Sequence, residues 1–139
     1  MKTLAARDVN VGDALPPLDV PITATLIIGG AIASRDYQDV HHDRDLARQR
    51  GAKDIFMNIL TTNGLVGRFV TDWAGPEAML KAVAIRLGAP NYPGDMMRLT
   101  GTVTEKDASD VTVDIQGTNA IGEHVRATVR VTLPDGGKR

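Results

Sequence analysis

Residues 125–133 set the character of the C-terminal half of this chain. Val125, Ala127, Val129, Val131 and Leu133 alternate with Arg126, Thr128, Arg130 and Thr132. A side-chain period of two puts all five apolar groups on one face of a β-strand and the polar groups on the other. Such a strand needs cover for its apolar face and partners for its edges, and the preceding sequence supplies partners. Val111, Val113 and Ile115 alternate with Thr112 and Asp114, and Leu99, Gly101 and Val103 alternate with Arg98, Thr100 and Thr102. Thr118–Glu123, with Asn119 and Gly122, suits a hairpin, and Asp107–Asp110 suits a turn. A fourth strand is expected over Leu80–Leu87, followed by the Pro/Gly-rich loop Gly88–Asp95. Short connections between successive strands favour an antiparallel sheet.

The cover comes from Ile55–Trp73. Phe56, Ile59, Leu60, Val66, Phe69, Val70 and Trp73 recur at three- and four-residue steps, the helical period. Asn58 is placed to cap this helix and Gly75-Pro76 to stop it. At ~1.5 Å per residue it is ~25 Å long. Its other face carries Thr61, Thr62, Asn63, Gly64 and Gly67, small or polar groups that suit close packing. One long helix wrapped by an antiparallel sheet is an α+β fold. Shorter helical patterns cover Thr25–Ser34 and Asp43–Arg50. Pro16, Pro17 and Pro21 keep the N-terminal region extended, and the last residues, 134–139, are expected to fray.

The chain's 139 residues are read as a single domain with one core. With no Cys, a disulfide scaffold, a thiolate metal site and a Cys nucleophile are excluded. A formal net charge of −1 argues against a broad basic field for nucleic acid, and 4% aromatics leaves no base-stacking platform. The longest apolar run, Ala24–Ala33, is far shorter than the ~20 residues a membrane span needs. A soluble, cytoplasmic protein is expected.

The densest chemistry lies in residues 34–45, SRDYQDVHHDRD, which hold four Asp and two of the chain's three His. An Asp and a His in one loop suit paired acid–base work, because their reference pKa values of about 3.9 and about 6.5 bracket the useful range. A solvated loop, with Asp43 capping the helix after it, accounts for the same residues. Adjacent His41 and His42 do not share a helix face as i, i+4 metal ligands do, so no metal is assigned. His124, at a hairpin start, reads as a surface residue.

The run Ser34–Asp43 resembles the motif of the MaoC-like, or (R)-specific, enoyl-CoA hydratases, roughly S-G-D-x-N-P-[ILV]-H-x-D. Asp36 and His41 fall on the family's catalytic residues, and Val40 and Asp43 also match. Arg35, Gln38 and Asp39 depart from its Gly, Asn and Pro. Pro90–Asp95, PNYPGD, resembles the family's P-x-x-P-G-D turn, and the opening and the long helix fit the order of a hotdog fold. The resemblance implies addition of water across a 2-enoyl-CoA double bond by Asp36 and His41. It also implies a main-chain donor to the thioester oxygen at the start of the central helix, where Asn58 stands. Plain N-capping explains Asn58 equally well. Tyr37 and Gln38 are candidates to line the substrate loop, and no cofactor beyond the substrate's CoA is implied.

A narrower resemblance is carried by RDYQDVHHDRD, KDIFMNILTTNGLV and TDWAGPEA. These runs are similar to small MaoC-like subunits of steroid side-chain enoyl-CoA hydratases from cholesterol-degrading actinobacteria. That similarity implies a heteromer with a larger MaoC-like subunit, whose second domain recruits an aldolase. It leaves open a homodimeric fatty (R)-specific hydratase and an acyl-CoA thioesterase on the same fold. Lys53, Arg68, Lys81, Arg86 and Arg98 are the cations available to CoA phosphates, and each also reads as solvated surface charge.

Overall fold

The computed structural model describes residues 2–136. Its elements run β1 (Ala14–Pro21), α1 (Ala24–Ala33), α2 (Arg44–Gln49), α3 (Ile59–Ala74), β2 (Met79–Leu87), β3 (Met96–Asp107), β4 (Asp110–Thr118) and β5 (Glu123–Thr132). The strands form one antiparallel sheet in the order β1-β3-β4-β5-β2. With α3 against it, this is the expected α+β hotdog arrangement of a central helix and an enclosing sheet.

The alternation over 125–133 does as expected. Val125, Ala127, Val129 and Val131 are buried while Arg126, Thr128 and Arg130 are exposed. Leu99 and Val103 of β3 and Val111, Val113 and Ile115 of β4 join them in one core with Val66, Phe69 and Val70 of α3. Gly101 leaves the space that Phe69 fills, since a Cβ there would lie 3.1 Å from the ring. Each fully buried aliphatic side chain contributes about 1.5–3 kcal/mol, so this two-layer contact dominates stability.

Four features correct or extend the sequence reading. First, β2 does not neighbour β3, which follows it in sequence. The loop after β2 carries the chain across, so that β2 pairs with β5 at the far edge. Second, the proline-bearing N-terminal segment, similar to the family's opening strand region, forms a fifth strand, one that periodicity alone did not mark. Its register with β3 shifts between Leu15 and Leu18, at Pro16 and Pro17, and β1 occupies the other edge. Proline lacks the N–H that an interior strand must donate, so an edge and a bulge accommodate it.

Third, α3 starts at Ile59 and not at Ile55. Ile55 and Met57 are buried from a non-helical segment, and Asn58 then caps the helix through Thr61 N–H. At the other end Gly75 takes φ +93°, the left-handed region that ends helices. Fourth, residues 134–136 are held against the N-terminal segment. Ala6 N–H donates to Pro134 O at 2.9 Å, and Arg7 donates to Gly136 O at 2.7 Å. The remainder of the expected frayed tail, 137–139, lies outside the described residues.

Candidate active site

The polar loop leaves α1 through a sharp reversal. Ser34 hydroxyl donates to Gly30 O at 2.7 Å, Arg35 takes φ +56°, and Asp36 N–H returns to Ala31 O at 2.9 Å. The positive φ turns the chain back toward α3 and presents Asp36 inward. A short 3-10 turn over Asp39–His41 then brings His41 round to the same place. Arg50–Asp39 (2.8 Å) and Arg44–Asp54 (3.1 Å) pin the outside of this turn, and Asp43 caps α2 through Leu46 N–H.

Asp36 Oδ2 and His41 Nε2 end 3.3 Å apart, with side chains 19% and 8% exposed. His41 Nδ1 lies 2.6 Å from Phe56 O. A carbonyl only accepts, so Nδ1 carries a proton and donates it. Nε2 is therefore the ring nitrogen left facing the carboxylate. The Phe56 ring meets the imidazole edge-on, with centroids 5.0 Å apart. Phe56 N–H donates to Val40 O at 3.2 Å and closes the contact from the other side.

Asp36 is held by Asn58, whose Nδ2 donates to Oδ2 at 3.0 Å. That hydrogen bond keeps the Asp36 carboxyl below the usual carboxylate range, and partial burial works against it. Gln38 N–H and the nearby His41 add smaller pulls in the same direction as Asn58. Asn58 is 2% exposed. The Tyr37 side chain is 68% exposed, and Gln38 is exposed and meets Asp36 through its main-chain N–H at 3.4 Å. His42 is exposed beside the pair. Among the described residues no group of three or more His, Asp or Glu is arranged to hold a metal ion.

A family model described as a MaoC like domain matches residues 10–125. The chain belongs to the MaoC-like domain family. Among curated proteins it is 50% identical over 125 residues to the 3-oxo-4,17-pregnadiene-20-carboxyl-CoA hydratase beta subunit of Mycobacterium tuberculosis, covering 90% of this chain and 97% of that one. Among solved structures it matches a chain of the ChsH1–ChsH2 complex of Mycobacterium tuberculosis with TM-score 0.88 and 49% identity, over 89% of this chain and 98% of that chain. The R-hydratase PhaJ1 of Pseudomonas aeruginosa also has TM-score 0.88, at 19% identity, over 96% of this chain and 87% of that chain, which speaks for the shared fold.

In this MaoC-like chain the structure brings Asp36, His41 and Asn58 together and leaves Tyr37 and Gln38 outward. Of the proposed phosphate cations, Arg68 pairs with Asp72 and Arg98 with Asp19 on the surface, while Lys53, Lys81 and Arg86 are exposed. Sequence reasoning missed Phe56 and Ser34, which act through a main-chain carbonyl and a bridging hydroxyl. It also misplaced His124, which is 2% exposed. His124 Nδ1 donates to Ala89 O at 2.6 Å, and its Nε2 lies 2.9 Å from Thr62 Oγ1. The start of β5 is covered there by the loop after β2 and the first turn of α3, so a position that alternation sends outward is enclosed. No helix among the described residues is long and apolar enough to cross a membrane.

Proposed function

We propose that this chain is the catalytic subunit of an enoyl-CoA hydratase, using Asp36 and His41 to add water to the double bond of a steroid side-chain acyl-CoA. The observation that carries the reading is the 3.3 Å pairing of Asp36 and His41. The 50% identity to a named steroid carboxyl-CoA hydratase subunit supports the substrate class. Asp36, kept ionised by its hydrogen bonds, takes a proton from water as the oxygen bonds to C3. Electrons move onto the thioester oxygen, and His41 Nε2–H then protonates C2 on the same face. Asp36 ends protonated and His41 neutral, and a proton relayed by the next water restores the pair. The Asn58 main-chain N–H, at the positive end of α3, is the proposed donor to the developing oxyanion. Tyr37 and Gln38 are assigned to the loop that borders the substrate. The chemistry requires no cofactor besides the CoA that the substrate carries, and the site of action is taken to be the cytoplasm.

The working unit is proposed to be a heteromer with a larger MaoC-like subunit. Ile59 and Leu60 on the first turn of α3 are 50% and 49% exposed, and Met79 and Leu80 of edge strand β2 are 58% and 39% exposed. Ile59 and Leu60 adjoin Asn58 at the site, and exposed apolar side chains there and on β2 suit cover by a partner or an acyl group. A second domain of that partner, recruiting an aldolase, is part of the proposal.

The test is a spectrophotometric hydration assay of the chain, alone and co-purified with its larger partner. Short, fatty and steroid 2-enoyl-CoAs serve as substrates. Hydration of the steroid thioester by the complex is expected. Release of free CoA without hydration would make the chain a thioesterase, and full activity of the chain alone on fatty substrates would make it a homomeric hydratase.

A further inference from the structure

All four hydrogen-bonding valences of the Asn58 side chain are engaged. Its Oδ1 accepts from Thr61 N–H at 2.9 Å and from Thr61 hydroxyl at 2.6 Å. A main-chain N–H only donates, so this oxygen assignment is fixed and the amide nitrogen must point the other way. Nδ2 then donates to Ser34 Oγ at 2.9 Å and to Asp36 Oδ2 at 3.0 Å. Ser34 has already given its own proton to Gly30 O, so it receives Asn58 as an acceptor. One buried carboxamide therefore ties the first turn of α3 to the end of α1 and to the carboxylate.

The consequence for Asp36 follows from counting lone pairs. Oδ2 accepts the Asn58 hydrogen bond at 3.0 Å and lies 3.3 Å from His41 Nε2. Among the described residues Oδ1 receives only the Gln38 N–H, at 3.4 Å, and keeps one direction open. The two oxygens of a symmetric carboxylate have become unlike. We infer that the Asn58 side chain is a positioning residue for the hydration reaction: it fixes Asp36 Oδ2 toward His41 and reserves Oδ1 as the oxygen that takes the proton from water. This rests on the hydratase reading for its chemistry and on the hydrogen-bond geometry alone for the asymmetry. The lowered Asp36 pKa, with Asn58 as its largest cause, agrees with it.

The test uses two variants in the assembled protein. Asn58→Ser keeps an N-cap oxygen but is too short to reach Asp36. Asn58→Asp keeps shape and cap but replaces the donor with an acceptor. The readouts are kcat and KM separately, the acid limb of the pH–rate profile, and the Asp36 carboxyl titration followed by carbon NMR. A lost hydrogen bond to a charged group corresponds to about tenfold to a hundredfold in kcat for Asn58→Ser, with KM little changed. The acid limb and the Asp36 titration should both move up by at least about one pH unit. In Asn58→Asp the two carboxylates resist joint ionisation, and the upward displacement is larger. If either folded variant keeps the wild-type kcat and acid limb while Asp36→Asn is inactive, Asn58 is only a helix cap and the inference fails. If the wild-type complex hydrates nothing while the NMR titration still moves in Asn58→Ser, the anchoring of Asp36 stands and the hydratase reading fails.

Discussion

His41 donates its Nδ1 proton to the carbonyl oxygen of Phe56 at 2.6 Å, which commits the imidazole to a single orientation. Its Nε2 is thereby the only ring nitrogen available to Asp36 and to substrate. Asp36→Asn removes the proposed base, and His41→Gln removes the proposed acid. Each variant should lower hydration by about 10²–10⁴-fold with unchanged circular dichroism and partner assembly. Near-normal turnover by either would refute the proposed dyad.

His124 offers a stability test with a definite sign. Burial pushes its pKa below the ordinary 6.5, and the hydrogen bond to Ala89 O opposes that only in part. The unfolded chain therefore binds a proton at this site at a higher pH than the folded one. Its contribution is fully present above about pH 6.5 and is lost as pH falls toward the folded value. Denaturant unfolding should show stability declining as pH drops from 7.5 to about 5, before the carboxylates titrate. His124→Gln should flatten that decline and cost about 1–3 kcal/mol at pH 7.5 through the unmet partners Thr62 and Ala89. An unaltered slope would show that another group governs it.

Gly30 sits where α1 approaches the first turn of α3. A Cβ there would fall 2.2 Å from Thr61 Oγ1 and 2.9 Å from Thr61 Cγ2. Thr61 is pinned by its hydroxyl bond to Asn58, so it cannot swing away freely. Gly30→Ala gains up to about 1 kcal/mol of helix propensity and loses about 1–3 kcal/mol to overpacking. A net loss near 1 kcal/mol by chemical denaturation is expected, together with reduced hydration, because the clash is transmitted to Asn58. Gly29, one residue earlier, meets nothing within 4 Å, and Gly29→Ala serves as the tolerated control.

Arg35 stands where the family motif has glycine, yet the backbone keeps φ +56°. A left-handed conformation costs an ordinary L-residue about 1–2 kcal/mol, partly offset by the entropy glycine loses on folding. Arg35→Gly should raise the denaturation midpoint by an amount equivalent to about 0.5–1 kcal/mol. A lower midpoint would mean that the Arg35 side chain contributes more than its backbone conformation costs.

The strands were legible because alternation is local and tertiary packing did not override it, as Val125–Val131 illustrates. The sheet order was less so. Adjacency in sequence predicts that β2 neighbours β3, and only the crossover loop places β2 beside β5. The first turn of the expected helix misled because Ile55, Phe56 and Ile59 fit helical spacing, while Ile55 and Met57 are buried from an extended segment ahead of the cap. Within the site, Asp36 and His41 share one loop and their spacing is readable. The Asn58–Asp36 bond spans 22 residues and leaves no local pattern. For His124 the polar hairpin context pointed outward, whereas the enclosing surfaces come from residues 62 and 89, distant in sequence.

Three consecutive residues, Phe56, Met57 and Asn58, anchor everything near the dyad. Phe56 O receives His41, Met57 N–H donates to Asn91 O at 3.1 Å, and Asn58 Nδ2 holds Asp36. His41 and Asp36 are thus suspended from one short rail whose middle is bolted to the loop after β2. Both groups are therefore referenced to the same support. Their separation is then set by the geometry of three successive main-chain units and not by the course of the loop that carries them.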